Sequence, residues 1–203
     1  MFQNQFFQAP LDYSGREVLI TQILDQYNKQ PTKRPSSWDE NIHTSIVYDS
    51  KNNIDYFEKA GIPLDLVSEI DDLVQQFIAK NDLGVIGTFY IAEMWYNVYT
   101  NRQYQNMHKH SNGSNMFFSG VYFMKYNEEE HSATRFYNPH FEIDFEKVQD
   151  NSFFVQTPNI KENDVFIFPS DVGHDVLPQN SAEPRITVAF NVACIMKDKF
   201  EYA

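Results

Sequence analysis

The chain has 203 residues, enough for one domain with a sizeable core, and its formal net charge of -12 disfavours phosphate backbones and anionic membranes as partners. Apolar residues make up 42% and aromatics 16%, with 18 Phe and 12 Tyr, which argues against disorder. One cysteine, Cys194, rules out an internal disulfide and a Cys-rich zinc site and reads as a small buried hydrophobe.

The first residues lack the basic start and apolar core of a signal peptide, and no apolar stretch reaches 18 residues. A cytoplasmic protein with no membrane partner is the expectation. Ser14 to Gln30 reads as an amphipathic helix, with Ile20, Ile23, Leu24 and Tyr27 on one face and a capping box of Ser14 and Glu17. Two prolines and a polar run break it. Gly61 to Gly84 is a second helix, with Pro63 in its first turn, Gly84 at its end, and a stripe of Leu66, Ile70, Leu73 and Phe77.

After Gly84 the period changes to two. Residues 87–100, 117–126, 133–138, 152–157, 164–170 and 185–196 read as strands rich in Phe, Tyr, Val and Ile. Helices first and short strands afterwards predict an α+β, mainly β chain. Its residues 86–197 form a β-sandwich or jelly roll, and its residues 1–85 form a helix-rich support, in a single domain.

The chemistry concentrates in the second half. In "MHKHSNGSNMFFSGVYFMKY", His108 and His110 lie two apart, so an extended backbone puts both imidazoles on one face, roughly 6–7 Å apart. Such a pair can chelate one ion, although two exposed loop histidines would show the same spacing. His174 follows in "DVGHDV". In "RITVAFNV", Arg185, Thr187, Ala189 and Asn191 share one face, opposite Ile186, Val188, Phe190 and Val192. A surface strand alternates in this way, and so does a polar barrel interior built around an anion that an arginine fork would grip. His43, His131 and His140 sit in polar or charged surroundings and read as surface or loop residues. Glu128 to Glu130 with His131 read as an acidic turn.

The order HxH, sheet, distant His, Arg-x-Thr resembles the 2-oxoglutarate/Fe(II)-dependent dioxygenases. The likeness is greatest to a branch of oxygenases of marine bacteria and cyanophages related to the prolyl 4-hydroxylases. It rests on "MWYNVYTNRQYQNMHKHSNGSNMFFSGVYFMKY", "DVFIFPSDVGHDVLPQ" and "RITVAFN", and covers residues from about 90 to 193. The resemblance implies a double-stranded β-helix, cupin-like, with Fe(II) at one end. His108, His110 and His174 match the metal-ligand positions, Arg185 and Thr187 the contacts to the distal carboxylate of 2-oxoglutarate, and Tyr99, Tyr104 and Tyr122 are candidates for a phenol contact to that cosubstrate.

The implied reaction consumes O₂ and 2-oxoglutarate, with ascorbate in support. It releases succinate and CO₂ and hydroxylates an aliphatic C–H of a small-molecule or peptide substrate, a peptidyl proline among the candidates, in a bacterium or an infected host cell. The usual non-haem iron triad is two His and one carboxylate, and His110 stands where most relatives have Asp. Three alternatives stay open: direct ligation by His110, a carboxylate from Asp171, and a water with His110 behind it. Beside the keto-acid enzyme stand a three-His cupin-type enzyme without 2-oxoglutarate and a non-catalytic jelly-roll module.

Overall fold

A computed structural model describes residues 6–36, 42–46, 54–110, 115–137 and 155–197. His140 and the polar stretch from Ser111 to Ser114 lie outside them. In chain order the elements are β1 (Phe7–Pro10), α1 (Arg16–Lys29), β2 (His43–Thr44), α2 (Ile54–Lys59), α3 (Leu64–Lys80), a short 3₁₀ helix (Leu83–Val85), β3 (Gly87–Tyr99), β4 (Gln105–His108), β5 (Met116–Lys125), β6 (Thr134–Tyr137), β7 (Val155–Gln156), β8 (Asp164–Pro169), β9 (His174–Val176) and β10 (Arg185–Met196). Two antiparallel sheets carry the fold: a six-stranded sheet ordered β1-β8-β5-β10-β3-β2 and a four-stranded sheet ordered β4-β9-β6-β7.

The six-stranded sheet is buried on both faces. On one, Ile186, Val188, Phe190 and Val192 of β10, with Met94, Tyr96 and Val98 of β3, pack against Leu19, Ile20 and Ile23 of α1 and Leu66, Ile70, Val74 and Phe77 of α3. On the other, Val121 and Phe123 of β5 and Phe166 and Phe168 of β8 meet Phe136 of β6, which fills part of the space between the sheets with aromatic rings. Strict alternation makes this possible: in β8, Val165 and Ile167 go to the helix side while Phe166 and Phe168 go inward.

The expected α+β, mainly β jelly roll with supporting helices is thus the fold observed, and all six predicted strand segments carry a strand. The helix ends differ from expectation. The first begins at Arg16, with Gly15 and no side-chain cap at its start. Glu17 is engaged with Arg16 instead of reaching back to Ser14. The long helix stops at Lys80, and Gly84 lies in the 3₁₀ turn beyond it.

Gly120 holds β5 close to β10. A methyl added there would overlap the fully buried ring of Phe190. Gly120→Ala is therefore expected to cost about 1–3 kcal/mol, read as a lower unfolding midpoint in urea.

His43 and His131 are buried, contrary to the surface reading. His43 stacks on Tyr96 at 5.8 Å and donates from Nδ1 to Gln30 O at 2.6 Å. His131 Nδ1 accepts from Asn127 N at 3.0 Å, and its Nε2 donates to Glu183 O at 3.1 Å. Polar neighbours in sequence placed neither one: His43 lies under a helix side chain and a strand, and His131 tucks back beneath its own acidic turn.

Burial lowers the pKa of both. A histidine that titrates lower when folded binds fewer protons in the native state, so its contribution is complete above about pH 6.5 and falls as the pH drops below that value. The melting temperature is expected to fall between pH 7 and pH 5, less steeply in His43→Gln. Equal slopes in the two proteins would refute the assignment to His43.

Candidate metal and oxo-acid site

The site is built on a ladder of paired residues. Along β3 and β10, Tyr99 pairs with Arg185, Asn97 with Thr187, Trp95 with Ala189, and Glu93 with Asn191. All but the last pair line one cavity between the sheets, which His108, His110, His174, Gln105 and Thr134 also line. Beyond Glu93 the register shifts, so that Val192 pairs with Ile91 and Ala92 is the extra residue. This bulge exchanges the faces of β3: Phe89 and Ile91 go to the helix-side core, whereas Trp95 and Asn97 face the cavity.

At one end of the ladder three imidazoles converge. β4 and β9 pair His108 directly with His174, and His110 N donates to Ser170 O at 2.9 Å. Ring centroids lie 4.2 Å apart for His108–His174, 5.0 Å for His110–His174 and 5.2 Å for His108–His110. One ligand nitrogen from each lies within 4.8 Å of the others.

In every ring Nδ1 is already occupied by an oxygen acceptor. His108 donates to Asn106 O at 2.8 Å, His174 to Val172 O at 3.1 Å, and His110 to Asn191 Oδ1 at 2.5 Å. That sets the tautomer and makes Nε2 the atom each ring can offer an ion. Burial, then the neighbouring His108, pushes the His110 pKa down to about 4, and burial holds His174 well below the ordinary range. Both rings are therefore neutral at neutral pH.

At the far end Arg185 is only 1% exposed, with its guanidinium over the rings of Tyr99 (4.9 Å), Phe123 (5.4 Å) and Tyr126 (5.7 Å). Nη2 donates to Thr134 Oγ1 at 2.7 Å, while Nε and Nη1 have no hydrogen-bond partner. None of the ion pairs among the described residues involves it. Two further cavity residues hold buried polar atoms without partners, Trp95 Nε1 and Asn97 Oδ1. A buried cation with two idle donors, and an indole N–H elsewhere in the same cavity, fit an anionic ligand reaching from the imidazoles to the arginine.

The site brings together His108, His110, His174, Arg185, Thr187 and Tyr99. It does not bring in Tyr122, whose ring lies on the helix side of β5 with its hydroxyl 3.3 Å from Asn163 Oδ1, because even-numbered residues of that stretch face away from the cavity. Tyr104 is not among the lining residues. Tyr99 contributes its ring, while its hydroxyl donates to Gln105 Oε1 at 2.9 Å.

Neither aspartate near His174 supplies a carboxylate. Asp171 is exposed and outside the ligand cluster, and Asp175 points to the opposite face, held by Arg135 Nε at 2.9 Å and Tyr137 Oη at 2.6 Å. The sequence reading missed Trp95, Asn97, Glu93 and Thr134. The alternation that phased β10 could have found the first three, had β3 been aligned against it.

Residues 93–191 match the family described as "Putative 2OG-Fe(II) oxygenase". This span begins at the bulge, ends at Asn191, and contains every residue of the ladder and of the imidazole cluster. Over those residues the barrel is similar to the 2-oxoglutarate- and Fe(II)-dependent oxygenases. Fe(II), 2-oxoglutarate and O₂ are the reactants of that family, and the three-imidazole cluster is a group that could hold a metal ion.

Solved structures agree on the fold. A Pseudomonas putida prolyl-4-hydroxylase superposes with a TM-score of 0.59 at 10% identity, covering 94% of this chain and 93% of its own. A Trichoplax adhaerens prolyl hydroxylase, bound to a peptide fragment of the hypoxia inducible factor oxygen degradation domain, gives 0.62 at 13% identity, with 94% and 84% covered. A viral collagen prolyl hydroxylase of Paramecium bursaria Chlorella virus-1, in complex with 2-oxoglutarate, gives 0.56 at 12% identity, with 94% and 97% covered. No curated protein matches the chain. Among the described residues no helix is long and apolar enough to cross a membrane.

Proposed function

We propose that His108, His110 and His174 bind Fe(II) through Nε2, and that Arg185 and Thr187 take the distal carboxylate of 2-oxoglutarate, in a single-domain oxygenase that hydroxylates an aliphatic C–H. The observation that carries this is Arg185: a fully buried guanidinium with two unpartnered donors, at the opposite end of one cavity from three imidazoles. Bound iron and the 2-oxo acid together supply oxidative decarboxylation coupled to C–H hydroxylation. The chain's own part is positional. The Nδ1 contacts hold the imidazoles in register, the Arg185 fork fixes the far end of the cosubstrate, Trp95 Nε1 offers a donor along its length, and the aromatic wall around Arg185 keeps water from that carboxylate.

A peptide substrate, a peptidyl proline above all, is the reading the neighbours favour, since the Trichoplax enzyme holds a peptide. The three-His enzyme without a keto acid has no use for a buried cation at the far end of the cavity. The test is anaerobic titration of the Fe(II) protein with 2-oxoglutarate, followed by succinate release with iron, ascorbate and 2-oxoglutarate. A visible charge-transfer band and succinate are expected. Stoichiometric iron without a band would favour the enzyme without a keto acid, and no stoichiometric metal would favour a non-catalytic module.

A further inference from the structure

Behind His110 lies a second group of polar side chains that the reaction as described does not use. Asn191 Oδ1 accepts from His110 Nδ1 at 2.5 Å and from Ser119 Oγ at 2.8 Å, and Asn191 Nδ2 donates to Glu93 Oε2 at 2.7 Å. Ser119 Oγ also meets Ser170 Oγ at 2.9 Å, and Ser170 O receives the backbone N–H of His110. Asn191 is 5% exposed and Ser119 and Ser170 are buried, so these contacts are poorly screened by water.

The chain of roles has one consistent solution. As a carboxylate, Glu93 can only accept, so the Asn191 amide must turn Nδ2 toward it. The amide oxygen then faces His110, whose Nδ1 must carry the proton, and the Nε2 lone pair is left for the metal. A charge on Glu93 polarises the amide and strengthens its oxygen as an acceptor, which makes the imidazole a better donor to a cation. The bulge at Ala92 marks where this arrangement ends. Glu93 is the last residue of β3 on the cavity side of the register shift, paired with Asn191 of β10.

We infer that Glu93 is the missing carboxylate of this iron centre, placed one amide behind its ligand: Glu93 and Asn191 are positioning residues that fix the tautomer of His110 and lend it negative charge. The inference rests on the three-imidazole centre proposed above but not on 2-oxoglutarate, so it is tested by metal binding alone. Co(II) is titrated anaerobically into wild-type protein, Glu93→Gln, and the double variant Glu93→Gln with Asn191→Asp. Glu93→Gln keeps shape and hydrogen bonding while removing the charge, and it is expected to weaken Co(II) binding about 10-fold, within the range of roughly 10–100-fold typical of partners behind a ligand.

The double variant puts a carboxylate directly on His110 Nδ1 and is expected to recover most of that loss, with the Co(II) ligand-field bands returning toward their wild-type positions. Wild-type affinity in Glu93→Gln overturns the inference, as does a double variant that binds no better than the single one. Wild-type protein that takes up no Co(II) overturns the three-His centre and the relay together, and is a separate result from loss in the variant alone.

Discussion

Replacing Arg185 by methionine is expected to abolish 2-oxoglutarate-dependent succinate release while leaving the fold as stable as before or more so. The two halves of this prediction have one cause. Nε and Nη1 of Arg185 are buried without partners, so the protein without its cosubstrate carries the desolvation cost of a cation and recovers only part of it. The hydrogen bond to Thr134 and the faces of Tyr99, Phe123 and Tyr126 offset it, each contact by about 1–2 kcal/mol. Methionine has a similar reach, is apolar, and suits the aromatic wall.

With the guanidinium go two charge-assisted hydrogen bonds to the distal carboxylate, each contributing about 1.5–3 kcal/mol. Affinity for 2-oxoglutarate should therefore fall by roughly 100-fold or more, at about 1.4 kcal/mol per tenfold. In thermal unfolding, 2-oxoglutarate should raise the melting temperature of the metal-loaded wild type and leave Arg185→Met unmoved. A variant that still responds to 2-oxoglutarate, or that releases succinate as fast as wild type, would sink the assignment of Arg185. A large loss of stability without ligand would show instead that the cation serves the fold.

How far the site could be read in the sequence depended on which strand carried it. β10 was legible because it is central and long, and its two faces differ in chemistry at every step: Ile186, Val188, Phe190 and Val192 against Arg185, Thr187, Ala189 and Asn191. The histidines were legible as a set only because His174 and Arg185 followed them in the right order. β3 was not legible in the same way. Its residues are mostly aromatic or apolar on both faces, and the bulge at Ala92 exchanges those faces, so counting by twos through the strand misassigns one half of it.

The same limit explains Tyr122. A strand's own pattern gives two faces, and only pairing with β10 tells which one meets the cavity. His43 and His131 failed for another reason, since their burial is made by long-range neighbours such as Tyr96 and the backbone of Glu183, none of which is close in sequence. The helices could be read in their stripes but not at their ends, because Arg16 engages both Glu17 and Glu162 and so takes away the capping partner of Ser14.

A non-haem iron centre commonly holds two His and one carboxylate, and exchanging His110 for a carboxylate tests the whole proposed centre. His110 supplies one of three ring nitrogens within 4.8 Å of each other, so His110→Ala should lower metal affinity by at least the roughly 100-fold at the upper end for partners behind a ligand, with loss of succinate release. His110→Asp is expected to do little better, although it restores the commoner triad. The shorter carboxylate would face Asn191 Oδ1, which the amide cannot turn away while Nδ2 is bound to Glu93 Oε2 at 2.7 Å. Two acceptors would then oppose each other in a buried setting, at a cost of about 1–3 kcal/mol.

Adding Glu93→Gln removes that lock. Glutamine can donate to Asn191 Oδ1, which lets the amide turn Nδ2 toward Asp at position 110. The double variant is accordingly expected to bind Co(II) more tightly than His110→Asp alone, even though Glu93→Gln weakens binding on its own. That reversal of sign separates a side chain acting through Asn191 from one that merely supports the strand, because a structural loss would add to the first substitution instead of relieving it. If His110→Asp by itself binds metal as tightly as wild type, the amide is free to turn and Glu93 does not hold it.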